Sequence, residues 1–418
     1  MNLNSCQQLA VDKFVDFLLS PSESELIISG KAGTGKSTLV SYLIDVIPSY
    51  FKTMALINAE PEHTRYDIQL AATTNKAAKV LSEKTGRTCV TIHNLIGLTV
   101  QNNTSDGSTY LKKSRNYRLF NPGIIIIDEA SFIDEGLLRE IRAATIKGCK
   151  IVYIGDPYQL APVKSTTKIP PVFVQGINEV RLQTIMRNPG AIELAAERYR
   201  EAVDTGNFLP LLIDAPQVIH TTGAEFQALV DEYFVHREEP NNKILAWSND
   251  RVINYNNYIR EAKGITDSLY RGEEVITNNP IITSKDNIPT DSHLVIEDFY
   301  HTEKRGILGK YITFENEDVT VFQPDCQFQA KQLMRQFAKA KDWVSYFEIK
   351  ERWADLRPIH SCTAHKSQGS TYNQVFIDLN DMSRCNIPSD FARMMYVAIS
   401  RASERVILYG NLPTKYGG

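Results

Sequence analysis

The longest apolar runs of this 418-residue chain are far too short to span a bilayer, and its N-terminus has no basic region followed by an apolar stretch. Those absences argue against a spanning helix and a secretory leader, so an intracellular, cytoplasmic protein is the expectation. The six cysteines (Cys6, Cys89, Cys149, Cys326, Cys362 and Cys385) form no C-x-x-C pair. That pattern argues against a zinc site and for reduced thiols in a cytosolic compartment. A charge of one sign is also missing: 46 Lys and Arg against 49 Asp and Glu leave a formal net charge of −3. Any nucleic-acid site must therefore be a local groove. No internal repeat or low-complexity linker interrupts the chain, and 43% hydrophobic with 23% charged residues is ordinary globular usage. The length leaves room for about two or three domains.

What is present begins with Gly30-Lys31-Ala32-Gly33-Thr34-Gly35-Lys36-Ser37, which fits the phosphate-binding pattern G-x-x-x-x-G-K-[ST] at every required position. Leu26-Ile27-Ile28 before it reads as a short buried strand, and Thr38 to Ile44 carries apolar residues at helical spacing. The loop then opens a helix, where unpaired N–H groups and the positive end of the helix dipole face the phosphates. Lys36 would reach the β/γ-phosphates and Ser37 would ligand Mg²⁺. Further on, Ile124-Ile125-Ile126-Ile127 ends in Asp128-Glu129-Ala130-Ser131, as a buried parallel strand delivering two carboxylates at its C-terminal edge would. Asp128 would hold Mg²⁺, directly or through water, and Glu129 would orient or deprotonate the attacking water, which implies hydrolysis of the nucleotide as well as binding.

Basic residues cluster locally: Lys76, Lys79, Lys84 and Arg87; then Lys112, Lys113, Arg115 and Arg118; then Lys331, Arg335 and Lys339 at intervals of four, one stripe of a helix. Strand Lys150 to Ile154 leads to Gly155-Asp156-Pro157-Tyr158-Gln159-Leu160-Ala161-Pro162-Val163, where the Gln159 amide could sense the γ-phosphate. Thr363-Ala364-His365-Lys366-Ser367-Gln368-Gly369-Ser370-Thr371 and Tyr396-Val397-Ala398-Ile399-Ser400-Arg401-Ala402 follow far downstream. An arginine so distant from the phosphate loop suits a finger that stabilises charge in phosphoryl transfer.

The ordered series GKAGTGKS, AATTNKAA, TIH, DEAS, GDPYQLAPV, LQTIMR, TAHKSQGST and YVAISRA resembles the motif set of superfamily 1 helicases. The likeness is greatest to the Dda-type 5′-to-3′ DNA helicases of tailed bacteriophages, with the RecD-like helicases as the wider group. The aromatic-rich stretch from Asp342 to Trp353 also resembles the tower segment of the Dda type. The resemblance implies an α/β fold of two RecA-like P-loop NTPase domains with parallel sheets, with ATP between them. The first would take residues 1–86 and 121–183, interrupted at 87–120 by a small insertion with a pin hairpin. The second would take 184–262 and 360–418, with a barrel-like insertion carrying a helical tower at 263–359.

Site roles follow from the same resemblance. Gln7 would read adenine; Gly30, Ala32, Gly33, Thr34, Gly35, Lys36, Ser37, Thr38 and Gly369 would hold the nucleotide; and Ser37 and Asp128 would hold the metal. Lys36, Asp128, Glu129, Gln159 and two arginine fingers, Arg187 and Arg401, would do the chemistry. Met186 stands where many relatives place an aromatic that stacks on adenine. Thr74, Asn75 and His93, on loops after strands of the first domain, would contact DNA. Trp247, Ser248, Asn249, His365 and Ser367 would be their second-domain counterparts. The expected partners are single-stranded and fork DNA, bound by a monomer, with a phage single-stranded DNA-binding protein or a replisome component as protein partner. Val100 to Tyr110 carries Asp-Gly turn chemistry between extended stretches, as a strand-separating pin would, with Tyr110 placed to stack on the terminal base pair. A pin favours an unwinding motor over a nucleotide-gated DNA-binding or remodelling ATPase. The residues alone leave a 3′-to-5′ or an RNA-directed helicase open.

Overall fold

The computed structural model describes residues 3–58, 67–120, 123–160, 169–186, 190–265, 269–283 and 285–418. It is a mixed α/β structure with parallel sheets, and by contact density it forms two compact units. One comprises Met1–Leu98, Lys113–Thr221 and Ser367–Gly418, and the other Thr99–Lys112 and Thr222–Lys366.

In the first unit six strands form one parallel sheet in the spatial order Cys89–Thr91, Asp67–Ala72, Gly123–Asp128, Lys150–Gly155, Glu25–Gly30 and Asn178–Leu182. The isoleucine run of Gly123–Asp128 is buried along its whole length, as expected of a strand covered on both faces. Ile124 and Ile126 join a core with Phe14, Phe17, Leu39 and Leu43 on one face, while Ile125 and Ile127 join Leu137, Leu138, Ile141 and Tyr153 on the other. Three more parallel strands, Val218–Thr221, Ala402–Tyr409 and Tyr372–Asp378, pair in that order.

Helices Ala191–Thr205 and Pro388–Ser400 pack against each other, and Arg393 of the latter donates to the carbonyls of Pro157 (2.6 Å) and Gln159 (2.7 Å). These contacts draw residues 184–221 and 367–418 into the first unit. The compact units therefore cross the domain boundaries that the sequence resemblance suggested, which put those segments with residues 222–262.

The second unit contains the parallel pair Asn242–Ala246 and Ser361–Thr363, backed by helix Asn249–Ala262. It also contains a five-stranded antiparallel sheet ordered Glu317–Pro324, Ile307–Phe314, His293–Lys304, Glu274–Thr277 and Leu356–Pro358. Residues 327–353, expected to be helical, form helices Gln327–Lys339 and Trp343–Arg352. The residues from Thr99 to Lys112 make a hairpin from strands Leu98–Asn102 and Thr109–Lys113. Its turn closes through Asn103 N–H to Ser108 O (2.8 Å), with Gly107 at φ +76°. A Cβ at Gly107 would overlap the Trp343 ring, so the hairpin tip rests on the start of helix Trp343–Arg352. The Asn102 amide also donates to the Glu351 carboxylate. Among the described residues no helix is long and apolar enough to cross a membrane.

Candidate active site

The phosphate loop turns between strand Glu25–Gly30 and helix Lys36–Asn58. Gly33 (φ +84°) and Gly35 (φ +79°) take left-handed conformations that a side chain would strain. Gly30 is required for a different reason, since a Cβ there would sit 2.7 Å from Thr34 Oγ1 and 2.9 Å from Leu182 Cβ. The Lys36 ammonium bends back over the loop and donates to the carbonyls of Gly30 (2.7 Å) and Lys31 (2.9 Å).

Asp128 ends its strand and is buried. Its carboxyl is pushed up to about 6 by burial and by the neighbouring Glu129, against the pull of Glu129 N–H, Lys36 and Lys84. Glu129 has φ +54°, an uncommon conformation for a residue with a side chain and one that recurs at functional sites. Its N–H donates to Asp128 Oδ1 (2.8 Å), and its carbonyl accepts from Thr73 Oγ1 (3.0 Å). The turn thus aims the two carboxylates differently: Asp128 is tied to the backbone, and Glu129 is half-exposed to the cleft.

One cleft is lined by Ala32, Gly33, Gly35, Lys36, Ser37, Thr38, Asp128, Glu129, Gln159, Gly369 and Arg401, together with Ala77, Val80 and Lys84. Most of the residues proposed for nucleotide chemistry are therefore gathered there, although they span more than 360 positions of sequence. A larger cavity, about 770 Å³, lies at the other end of strands Glu25–Gly30 and Lys150–Gly155 and holds none of that machinery.

Arg401 is buried, which lowers its pKa from the usual value, with Glu129 the first of the groups opposing the shift. Its guanidinium is held by Val397 O (3.1 Å), Ser370 O (3.3 Å) and Ser400 Oγ (3.0 Å). Gln159 is buried and accepts at Oε1 from Gln368 Nε2 (2.9 Å), which also approaches Glu129 Oε2 at 3.4 Å. Gln368 therefore bridges the amide and the carboxylate, and its own Oε1 is buried with no hydrogen-bond partner among the described residues.

Tyr396 is the second residue that motif reading did not single out. Its hydroxyl accepts from Ala32 N–H in the phosphate loop (2.9 Å) and donates to Asp156 Oδ2 (2.6 Å). Burial, together with Asp156, raises its pKa well above the usual tyrosine value and keeps that proton in place. The signal for both residues was their membership of the TAHKSQGST and YVAISRA blocks, but their partners are far away in sequence.

Gln7 is buried beside the loop. Its Nε2 donates to Thr34 O (3.2 Å) and its Oε1 accepts from Asn4 N–H (3.2 Å), so the amide braces the loop as well as facing its edge. Met186 is 57% exposed, with its N–H on Gly33 O (2.8 Å). Arg187 lies outside the described residues.

Among the residues expected to contact DNA, those of the first unit are Thr74, Asn75, His93 and Ser367. Thr74 caps helix Asn75–Thr85 by accepting from Ala77 N–H, and His93 lies in the short helix Ile92–Ile96. Asn75 and His93 thus sit in first helical turns and not on loops, because Thr74 and Thr91 cap those helices immediately after their strands. Burial lowers the His93 pKa, which favours a neutral ring. Ser367 is fully buried. In the second unit Ser248 caps helix Asn249–Ala262, Asn249 Oδ1 accepts from Arg357 (2.7 Å), Trp247 is half-buried, His365 is exposed and Tyr110 is 49% exposed on the hairpin.

A cleft with helix N-terminal N–H groups, an ammonium, a hydroxyl, two carboxylates and a guanidinium has the parts for binding and cleaving a phosphoanhydride. The chain matches the AAA domain family over residues 2–217 and the UvrD-like helicase C-terminal domain over residues 358–409. It is 23% identical over 410 residues to the ATP-dependent DNA helicase dda of Enterobacteria phage T4, covering 86% of this chain and 88% of that protein. A 141-residue stretch, 33% of this chain and 16% of the relative, is 30% identical to the ATP-dependent RecD2 DNA helicase of Deinococcus radiodurans. In fold it is similar to the Pif1 helicase from Bacteroides in complex with ADP-AlF3 and ssDNA, with a TM-score of 0.51 and 17% identity over all of this chain and 94% of that one.

Proposed function

Because this chain belongs to the superfamily 1 helicases of the Dda and RecD group and is an ATP-hydrolysing DNA helicase, we propose that it translocates 5′-to-3′ on single-stranded DNA and separates the duplex ahead of it. The observation that carries the ATP-driven part of the reading is the convergence of Lys36, Ser37, Asp128, Glu129, Gln159, Gly369 and Arg401 on one cleft, while the 5′-to-3′ polarity rests on the likeness to the Dda-type helicases. In this reading the loop amides and Lys36 hold the β- and γ-phosphates, and Glu129 orients the attacking water and takes its proton. Arg401 steadies the charge that develops on the γ-phosphate oxygens. Gln368 ties Glu129 to Gln159, so loss of the γ-phosphate would be felt in the loop after strand Lys150–Gly155. Arg187 remains proposed as a second finger, and Gln7 as the reader of the adenine edge.

Ser37 and Asp128 fit Mg²⁺, since a hydroxyl and a carboxylate are hard oxygen donors lining one cleft, and a cation there would offset the burial and the neighbouring Glu129 charge that raise the Asp128 pKa. Bound there, Mg²⁺ would neutralise phosphate charge. We further propose the two RecA-like domains with the boundaries given above, and fork and single-stranded DNA as partners. Thr74, Asn75, His93, Trp247, Ser248, Asn249 and His365 would supply phosphate hydrogen bonds and stacking, whereas Ser367, fully buried, has no surface to offer a strand in this structure. The braced hairpin with its exposed Tyr110 supports strand separation over gated binding. The test compares unwinding of 5′-tailed and 3′-tailed DNA duplexes, and of a 5′-tailed RNA duplex, with and without ATP. ATP-dependent opening of the 5′-tailed DNA alone is expected; preference for the 3′ tail or for RNA rejects that part of the reading, and hydrolysis without opening rejects the motor.

A further inference from the structure

The basic stripe Lys331, Arg335 and Lys339 is not used by the nucleotide cleft or by the residues expected to touch DNA. It lies on helix Gln327–Lys339 of the second unit, whose Ala330, Leu333, Met334 and Phe337 pack on Phe322, Ile349 and Trp353. At about 100° per residue the three cations fall on the opposite face, and Phe328 falls among them: the four positions span an arc of about 80° and a length of about 16 Å. Lys331, Arg335 and Lys339 are exposed, and Phe328 is 62% exposed.

Two features separate this face from an ordinary solvated one. Many cations of the same unit are matched by carboxylates, Lys304 and Arg305 by Glu348, Lys310 by Asp325, Arg271 by Asp298 and Lys366 by Asp291 among them. None of the three stripe residues makes an ion pair among the described residues. An aromatic ring, Phe328, is also left in water at the N-terminal end of the cationic face, in line with the cations, where burial would have been favourable. Cations tracking a backbone, with an exposed ring for a base to stack on, are the chemistry of a single-stranded nucleic-acid surface.

The position of the face suggests which strand. Its Lys339 end is next to the turn into Trp343, on which the hairpin tip rests at Gly107. A strand parted at the hairpin would meet the face as it leaves. We propose that Phe328, Lys331, Arg335 and Lys339 form a binding track for the single DNA strand displaced at the hairpin. The proposal rests on the unwinding reading above. The stripe holds its cations at a rise of about 6 Å per step of four residues, so each can engage a separate phosphate of an extended strand.

The experiment measures binding of two DNA forks by the full chain as a function of salt. One fork has a single 5′ tail, and the other carries both a 5′ and a 3′ tail. For the wild type the two-tailed fork should show the steeper dependence of log affinity on log salt. In Lys331→Ala/Arg335→Ala/Lys339→Ala that slope should shrink by about 2, at about 0.7 per phosphate, while the slope for the one-tailed fork and the DNA-stimulated ATPase stay unchanged. Phe328→Ala should weaken two-tailed binding without changing the slope, and Lys331→Arg/Arg335→Lys/Lys339→Arg should behave as wild type. An unchanged slope on the two-tailed fork overturns the proposal, as does an equal loss on both forks, which would place the shared duplex or 5′ tail on this face. Absence of DNA-stimulated ATPase in the wild type would instead overturn the helicase reading.

Discussion

Tyr396→Phe removes one hydroxyl oxygen and leaves the ring in place. The oxygen it deletes joins the phosphate loop, through Ala32 N–H at 2.9 Å, to the Asp156 carboxylate at 2.6 Å. Tyr396, Ala32 and Asp156 are all buried, so water cannot readily replace the lost partner. A buried group deprived of its partner costs about 1–3 kcal/mol, with charged acceptors at the upper end. Asp156 keeps a bond from Tyr158 N–H (3.0 Å), which moderates the penalty on the carboxylate. The pair should therefore cost about 2–4 kcal/mol. If the link matters mainly for holding the loop in its phosphate-binding shape, the loss falls on kcat/KM for ATP, where each 1.4 kcal/mol is about tenfold. Steady-state ATPase with saturating single-stranded DNA, together with thermal unfolding of the same preparation, reads both places where the energy can appear. A variant with wild-type kcat/KM and wild-type melting would refute the reasoning, since the deleted bonds would then carry no net energy.

Glu129→Gln should still bind ATP but turn over about 10²–10⁴-fold more slowly, as loss of a positioned base does; wild-type turnover in a single-turnover assay would remove it from that role. Arg401→Lys keeps the charge but loses the fork that reaches Val397, Ser370 and Ser400, so kcat should fall well beyond any change in ATP affinity, and an unchanged kcat would make Arg401 a packing residue. Tyr110→Ala should slow strand separation while DNA-stimulated ATPase and translocation on unpaired DNA continue; parallel loss of all three would reject a role at the fork. His360 is held down to about 3 by burial, then by Lys263, Lys243 and Arg260, so the fold keeps it neutral while the unfolded chain takes up a proton below about 6.5. Its contribution to stability is complete above that value and is lost as pH falls toward 3, by at most about 1.4 kcal/mol per pH unit. His360→Phe, which retains a ring against Phe234, should flatten the fall in urea-unfolding stability between pH 7 and 5, and an equally steep fall in the variant would refute the assignment.

What the sequence by itself determined was whatever is local. The phosphate loop is one uninterrupted stretch whose glycines are needed for its own backbone angles, and the isoleucine run ending in Asp128 and Glu129 declares a buried strand with carboxylates at its end. The helical stripe of Lys331, Arg335 and Lys339 and the turn chemistry around Gly107 were legible for the same reason, since period and turn type depend on near neighbours. Tertiary structure alone decided which distant groups meet. Tyr396 reaches Ala32 across 364 positions, Gln368 reaches Gln159 across 209, and neither pairing leaves a trace in spacing or composition. The helix turns that hold Asn75 and His93 were missed because a capping threonine right after a strand looks, in sequence, like any polar loop residue. The compact units were likewise beyond reach: packing of helix Pro388–Ser400 on helix Ala191–Thr205 and the grip of Arg393 on the Pro157–Gln159 loop depend on side chains brought together only after the strands have paired.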